Sequence, residues 1–552
     1  MNFTNDAVYI TDLDKCKPNT VFHNNFSKDK WRIIDYETER LSGKMLAASP
    51  EAKVPEIYYN LNKKGWHAVF LGIYGPTRRV MSDGIKVRLS YDDSRELITP
   101  EVGGLNFPII DEVFWKYADL EDQDIYFSHP EGGMQRGTYI AYIKIIPLTD
   151  KERRKVIENR NDPKTKRLIG MNDGFGIFYK KKPVSEEDII EDIIPYKDTD
   201  FEKLYWCMGT GADVCTYPTK VGEMFGANVE AFPRPGDRNI YESLNILNKK
   251  NINPIKTVIK YSKKINLKIY ISLRMGAFAC NAPWDEIFTG QFYKNNPNWR
   301  CMDRNGIEIT RMSYAYQGVQ DKMIELLMEI ASYQPDGISL LFNRGGPFLL
   351  YEEPLVKGFI KKTGKDPRLL DEDNIKWLRY RAKFMTNFMS DLRKHLDNNI
   401  KISAHVLNNK KENLFYGLDL NSWLKKDLVD ELVAYPWQID HKEGKEVDIN
   451  YYNDLVKGSK CKLYLEVMPR SMKPSQYLEK AINYYENGAD GLCFWDTFNR
   501  HPKRREWSMI RRLGHKENLN KYVNEENVFY KSVKIKSINK IRVDKYPPVW
   551  AF

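Results

Sequence analysis

Glu466 closes the apolar run KLYLEVMP, and Asp496 closes GLCFWDTF. A carboxylate at the end of an apolar strand is costly to bury unless it is paired or used. Two of them on neighbouring strands stand about 5 Å apart. At such spacing one carboxyl protonates a departing glycosidic oxygen while the other attacks the anomeric carbon or activates water. Glu466 suits the nucleophile or base. Candidates for the partner acid are Asp496, then Glu352 and Glu353 in NRGGPFLLYEEP, and Asp213 in MGTGADVCTYP. Glu352 and Glu353 also open the helix-like stretch PLVKGFIKK, where acidic residues favour the dipole.

The expected binding residues follow the same strand ends. Arg274 ends IYISLRM, Asn343 and Arg344 end GISLLFNRG, and His405 ends ISAHVLNN beside Asn408 and Asn409. An arginine aimed into a mouth clamps a carboxylate through two parallel hydrogen bonds. Arg274 and Arg344 together point to a substrate with an acidic group, such as a uronic or sialic acid. Trp284, Trp299, Trp437 and Trp495 offer indole faces for pyranose rings. No second histidine pairs with His405 in an HxH or HExxH pattern, so neither a metal nor another cofactor is expected.

These residues need a scaffold that brings strand ends together. LYWCMG (204–209), IYISLRM (269–275), GISLLFNRG (337–345), ISAHVLNN (402–409), ELVAYPW (431–437), LYLEVMP (463–469) and GLCFWDTF (491–498) are continuous apolar runs. Helical periods separate them at 242–250, 255–264, 320–333, 374–396 and 475–488. Apolar strands alternating with helices indicate a parallel sheet covered on both faces. The expected fold class is α/β, a (β/α)8 TIM-like barrel whose site lies at the strands' carboxyl ends. The eighth strand is expected between the first two runs. Gly337 and Gly488 sit at helix-to-strand transitions, where glycine takes a left-handed cap.

Residues 1–150 lack a helical period and read as an antiparallel β-sandwich accessory domain, with strands such as WHAVFLGIY (66–74) and TYIAYIKIIPL (138–148). Residues 151–200 are charge-rich and read as a linker, 201–518 as the catalytic barrel, and 519–552 as a β-rich C-terminal extension packing back on the first domain. The chain has 552 residues and a formal net charge of +11 in short scattered runs. No nucleic-acid partner is expected from runs of that kind. The seven cysteines lack metal-type spacing and read as small buried hydrophobes in a reducing compartment. No signal peptide or membrane-spanning run is evident, so the chain as given is expected in the cytoplasm, or outside if a leader was trimmed. Nothing in the sequence sets an oligomeric state.

The segments NPNWRCMDRNG and SYAYQGVQDKMIELLMEIASYQPDGISLLFNRGGP resemble the glycosyl-hydrolase-like family 10 barrels at Asn296, Pro297, Trp299, Asp303, Gly306, Asp336, Gly337, Arg344 and Pro347. The resemblance implies a (β/α)8 fold acting on glycans. It departs where the family usually carries an aspartate two positions after the residue matching Ser339; this chain has Leu341. The expected activity is glycoside hydrolysis of an oligo- or polysaccharide. The alternative is a glycan-binding barrel that has lost catalysis.

Overall fold

The structure, a computed structural model, describes residues 5–25, 27–75, 84–100, 108–130, 137–436, 446–496, 500–523 and 526–544, with the side chains of 496, 526 and 527 outside the description. Eight parallel strands close into a barrel: β1 (Leu168–Asn172), β2 (Phe201–Cys207), β3 (Lys268–Arg274), β4 (Gly337–Leu341), β5 (Lys401–Val406), β6 (Glu431–Ala434), β7 (Lys462–Glu466) and β8 (Gly491–Asp496). β8 pairs with β1, with Asn172 opposite Asp496. Seven of the strands are those expected. The eighth lies before them rather than between the first two. LIGMN is short, and it is flanked by the charged runs that made 151–200 look like a linker; both its faces are nonetheless buried.

The intervening helices form where the apolar stripes place them. Asn253 accepts hydrogen bonds from the N–H groups of Ile255 and Lys256 and caps Pro254–Lys264. Asn374 does the same for Lys376 and Trp377 ahead of Ile375–His395. Each cap satisfies N–H groups that the first helical turn leaves without partners. Gly488 has φ +97°, as a left-handed cap requires. Gly337 does not: Gln334 (φ 58°) makes that turn, and Gly337 begins β4. A Cβ there would lie 2.5 Å from the Tyr270 ring, so the glycine makes room for a side chain inside the barrel.

Alternate residues of each strand point inward. Ile169, Met171, Tyr205, Cys207, Tyr270, Leu341, Val433, Tyr464, Cys493 and Trp495 fill the interior, while the larger core lies between the barrel and its helices. The amino-terminal layer is polar. Lys203 Nζ donates to Glu431 Oε1 at 2.6 Å and to the Tyr464 hydroxyl at 2.7 Å, and the Tyr270 hydroxyl donates to Glu431 at 3.1 Å. Tyr205 donates to the other carboxylate oxygen. The ring closes the barrel's bottom.

The first domain consists of a nine-stranded sheet, antiparallel except for one short pair, and a four-stranded antiparallel sheet. Leu46, Val69, Leu71, Val113 and Ile143 of the first share a core with Ile57, Val87, Ile125 and Phe127 of the second. The C-terminal strand Tyr530–Ile538 does not form a sheet of its own. It pairs with Ile109–Asp119 through its first half and with Trp31–Thr38 through its second. The tail is thus a member of the N-terminal sheet.

Glu96 of this domain pairs with Arg504, which begins the helix after β8, and also accepts from Trp115 Nε1 at 3.0 Å. Burial alone would raise the Glu96 carboxyl. The charges of Arg504 and Lys116 and these hydrogen bonds outweigh it and bring the group down to about 2 from an ordinary 4.5. A folded pKa below the unfolded one stabilises above the unfolded value, and that stability is lost as pH falls toward the folded value. The expected loss between pH 4.5 and 2 is about 3 kcal/mol. Urea unfolding across that window checks it, and Glu96→Gln is expected to flatten the slope there.

Candidate active site

Glu466 ends β7 on the inward face and is wholly buried. Its Oε1 accepts the backbone N–H of Trp495 at 2.6 Å. Its Oε2 has no N–H or O–H donor and lies beside the Cys493 thiol. Burial raises its pKa; the Cys493 thiol, Arg500, the Trp495 N–H and Arg470 pull it back only in part. A raised pKa favours the protonated form, the form a general acid needs, whereas the sequence suggested the nucleophile or base role.

Trp495 is almost fully buried among the side chains that fill the barrel's interior, its ring edge-on to Tyr435. Two guanidinium groups face the indole: Arg344 Cζ is 4.9 Å and Arg470 Cζ 5.4 Å from the ring centroid. Arg470 also donates to the Tyr435 hydroxyl at 3.2 Å. Burial is the main cause that lowers the Arg344 pKa, and Arg274 and Arg470 add to it through repulsion, against Tyr435 and Asp173. Arg274 is partly committed, donating to the Thr210 carbonyl at 2.7 Å. Asn343 is 3% exposed, and neither end of its amide has a hydrogen-bond partner. A ligand group at the mouth would satisfy it.

His405 lies beneath them, wholly buried, with Nδ1 3.3 Å from Ser339 Oγ and Nε2 3.8 Å from Cys493 Sγ. Burial lowers its pKa to about 3, so the imidazole is neutral. It lies inside the barrel, edge-on to the rings of Tyr205 and Trp495.

The remaining expected residues are not all brought to this point. Both Glu352 oxygens accept backbone N–H groups, from Leu350 at 2.9 Å and from Met302 at 3.1 Å, so this carboxylate ties two loops together. Glu353 is exposed and pairs with Lys357 one turn along its helix. Asp213 is buried beside Gly290, and burial raises its pKa to about 6 despite Lys322. Its neighbours are loops and the helix before β4, not Glu466. Trp284 is 42% exposed near Arg234, and Trp299 wedges against Gly318 of an outer helix. Asp496 closes β8 by its backbone, but its side chain, like the whole of Trp437, lies outside the described residues.

Two site residues escaped the sequence. Asp173 follows β1 directly, is buried, and accepts the N–H groups of Phe175 and Gly176 at 3.1 and 2.9 Å. It was hidden in the supposed linker; the signal was a five-residue apolar run ending in NDG. Arg470 follows β7 by four residues, in MPR. Carboxylates thus stand at the ends of three successive strands, Glu466 on β7, Asp496 on β8 and Asp173 after β1.

No family model matches the sequence, so the family-10-like resemblance gains no support there, and no curated protein matches it. Among solved structures, a chitinase from Bacteroides thetaiotaomicron is 11% identical with a TM-score of 0.33, over 64% of this chain and 97% of its own. An α-galactosidase from Thermus thermophilus in complex with stachyose is 9% identical with a TM-score of 0.35, over 87% and 99%. A Clostridium thermocellum xylanase 10B fragment is 11% identical with a TM-score of 0.29, over 87% and 90%. At these values the likeness carries no argument about activity, and the barrel rests on its own strand pairing. No helix among the described residues is long and apolar enough to cross a membrane.

Proposed function

We propose that this chain hydrolyses glycosidic bonds in a glycan that bears an acidic group. The observation that carries the proposal is the Glu466 carboxyl: fixed through one oxygen by the Trp495 N–H, without an N–H or O–H donor on the other, and with its pKa raised by burial at the carboxyl end of the barrel strands. Glu466 gives its proton to the glycosidic oxygen as the bond to the anomeric carbon breaks. A carboxylate on the next strands, Asp496 or Asp173, takes a proton from water or attacks that carbon. Arg344 holds the substrate's acidic group against Trp495.

Sugar release from paired neutral and uronic-acid aryl glycosides tests this. Wild type is expected to prefer the acidic member of each pair. Arg344→Ala is expected to cost about 2–5 kcal/mol in kcat/KM on acidic substrates, as for losing one partner of a buried charge pair, and little on neutral ones. Equal loss on both would assign Arg344 to holding its loop.

Leu341 favours a second reading. It is wholly buried and faces the barrel interior where the resembled family would place an aspartate. A barrel that binds acidic glycans without cleaving them would give saturable binding and no released sugar in the same assay.

A further inference from the structure

The ligating atoms of His405, Glu466 and Cys493 lie within 4.8 Å of one another, and all three side chains are wholly buried. They come from β5, β7 and β8, so no sequence spacing announces them. We propose that these residues form a site for a thiophilic divalent cation, of which zinc is the type, and that occupation switches the active site off by taking Glu466. The binding claim stands on geometry; the switch rests on the function proposed above.

The geometry fits. Zinc holds thiolate sulfur at about 2.3 Å and imidazole nitrogen at about 2.0–2.1 Å, which at tetrahedral to trigonal angles separates the two donors by about 3.5–3.8 Å. His405 Nε2 and Cys493 Sγ are 3.8 Å apart. Two of the ligands already have an outer partner that turns the correct atom inward. With its Nδ1 proton toward Ser339 Oγ, His405 presents the Nε2 lone pair. Trp495 N–H holds Glu466 Oε1, which leaves Oε2 to face the Cys493 sulfur.

Charge decides which cations enter. All three side chains are wholly buried, in a dry interior that penalises uncompensated charge. A bound dication takes Cys493 as thiolate and Glu466 as carboxylate. A 2+ ion with one thiolate and one carboxylate is then neutral overall, as a dry interior demands. Arg470 and Arg500 act on Glu466 and oppose a bare dication. Binding therefore depends on thiolate formation, which excludes magnesium and calcium, whose preferred ligands are oxygens. Among the described residues no other group of this kind occurs.

Cobalt(II) serves as the optical probe. The full-length protein is expected to take up one Co2+ with a thiolate-to-metal charge-transfer band, to release protons as it does so, and to exchange it for Zn2+ but not Mg2+. Cys493→Ala is expected to abolish the band. Ser339→Ala, which removes only the outer partner of His405, is expected to weaken binding about 10–100-fold. X-ray absorption of the zinc-loaded wild type needs no variant to fold and is expected to show one sulfur at about 2.3 Å. No uptake, a purely oxygen and nitrogen shell, or a band that survives Cys493→Ala would overturn the site. Uptake without loss of wild-type sugar release would overturn the switch while leaving the site. Absence of sugar release in metal-free wild type would instead sink the proposed hydrolysis, and the cobalt spectrum would be unaffected.

Discussion

Glu466→Gln is expected to lower turnover of glycosides with ordinary leaving groups about 10²–10⁴-fold, the range for removing a positioned acid or base. That corresponds to about 3–5 kcal/mol in the barrier. The substitution keeps side-chain volume and an oxygen for the Trp495 N–H, so the fold should be undisturbed. Thermal unfolding of the two proteins side by side checks this. Within a degree or two of each other, with turnover lost, Glu466 acts in the chemistry. A large drop in midpoint would mean that the carboxyl is needed to hold β7 and β8 together.

Lys203→Met is expected to have the largest effect on stability. Lys203 is 2% exposed, and its ammonium lies against Glu431 and Tyr464 inside the barrel's lower layer. Removing it leaves Glu431 as a buried carboxylate with only the phenols of Tyr205 and Tyr270 for partners. Breaking a buried pair from one side costs about 3–5 kcal/mol, whereas replacing both partners by groups of similar shape is often neutral. The double variant Lys203→Met, Glu431→Gln is therefore expected to recover most of the loss. Urea unfolding of both variants makes the comparison. A single variant as stable as wild type would show that the ring carries no net charge pair.

Periodicity made the barrel legible. Strands buried on both faces are continuous apolar runs, and helices between them carry stripes, so seven strands and their helices stand out from local pattern alone. β1 failed the same test because it is only five residues long and flanked by charge. Losing β1 also hid Asp173. At the site, Glu466 and Arg344 were legible because a charge beside an apolar strand is conspicuous. Glu352 is equally conspicuous, yet its oxygens serve the loop amides of Leu350 and Met302, and no sequence pattern separates those two uses. Cys493 was read as a small hydrophobe. Only the closure of the barrel sets it 3.8 Å from His405, since the two are 88 residues apart in the chain.

The most direct measurement is the dependence of kcat/KM on leaving group for wild type and Glu466→Gln. A phenyl glycoside needs its oxygen protonated as the bond breaks, and a dinitrophenyl glycoside of the same sugar does not. With Glu466 as general acid, the variant should lose activity on the phenyl substrate by the full factor and keep nearly all of it on the dinitrophenyl one. An equal loss on both substrates, or wild-type protein that releases sugar from neither, would contradict that role.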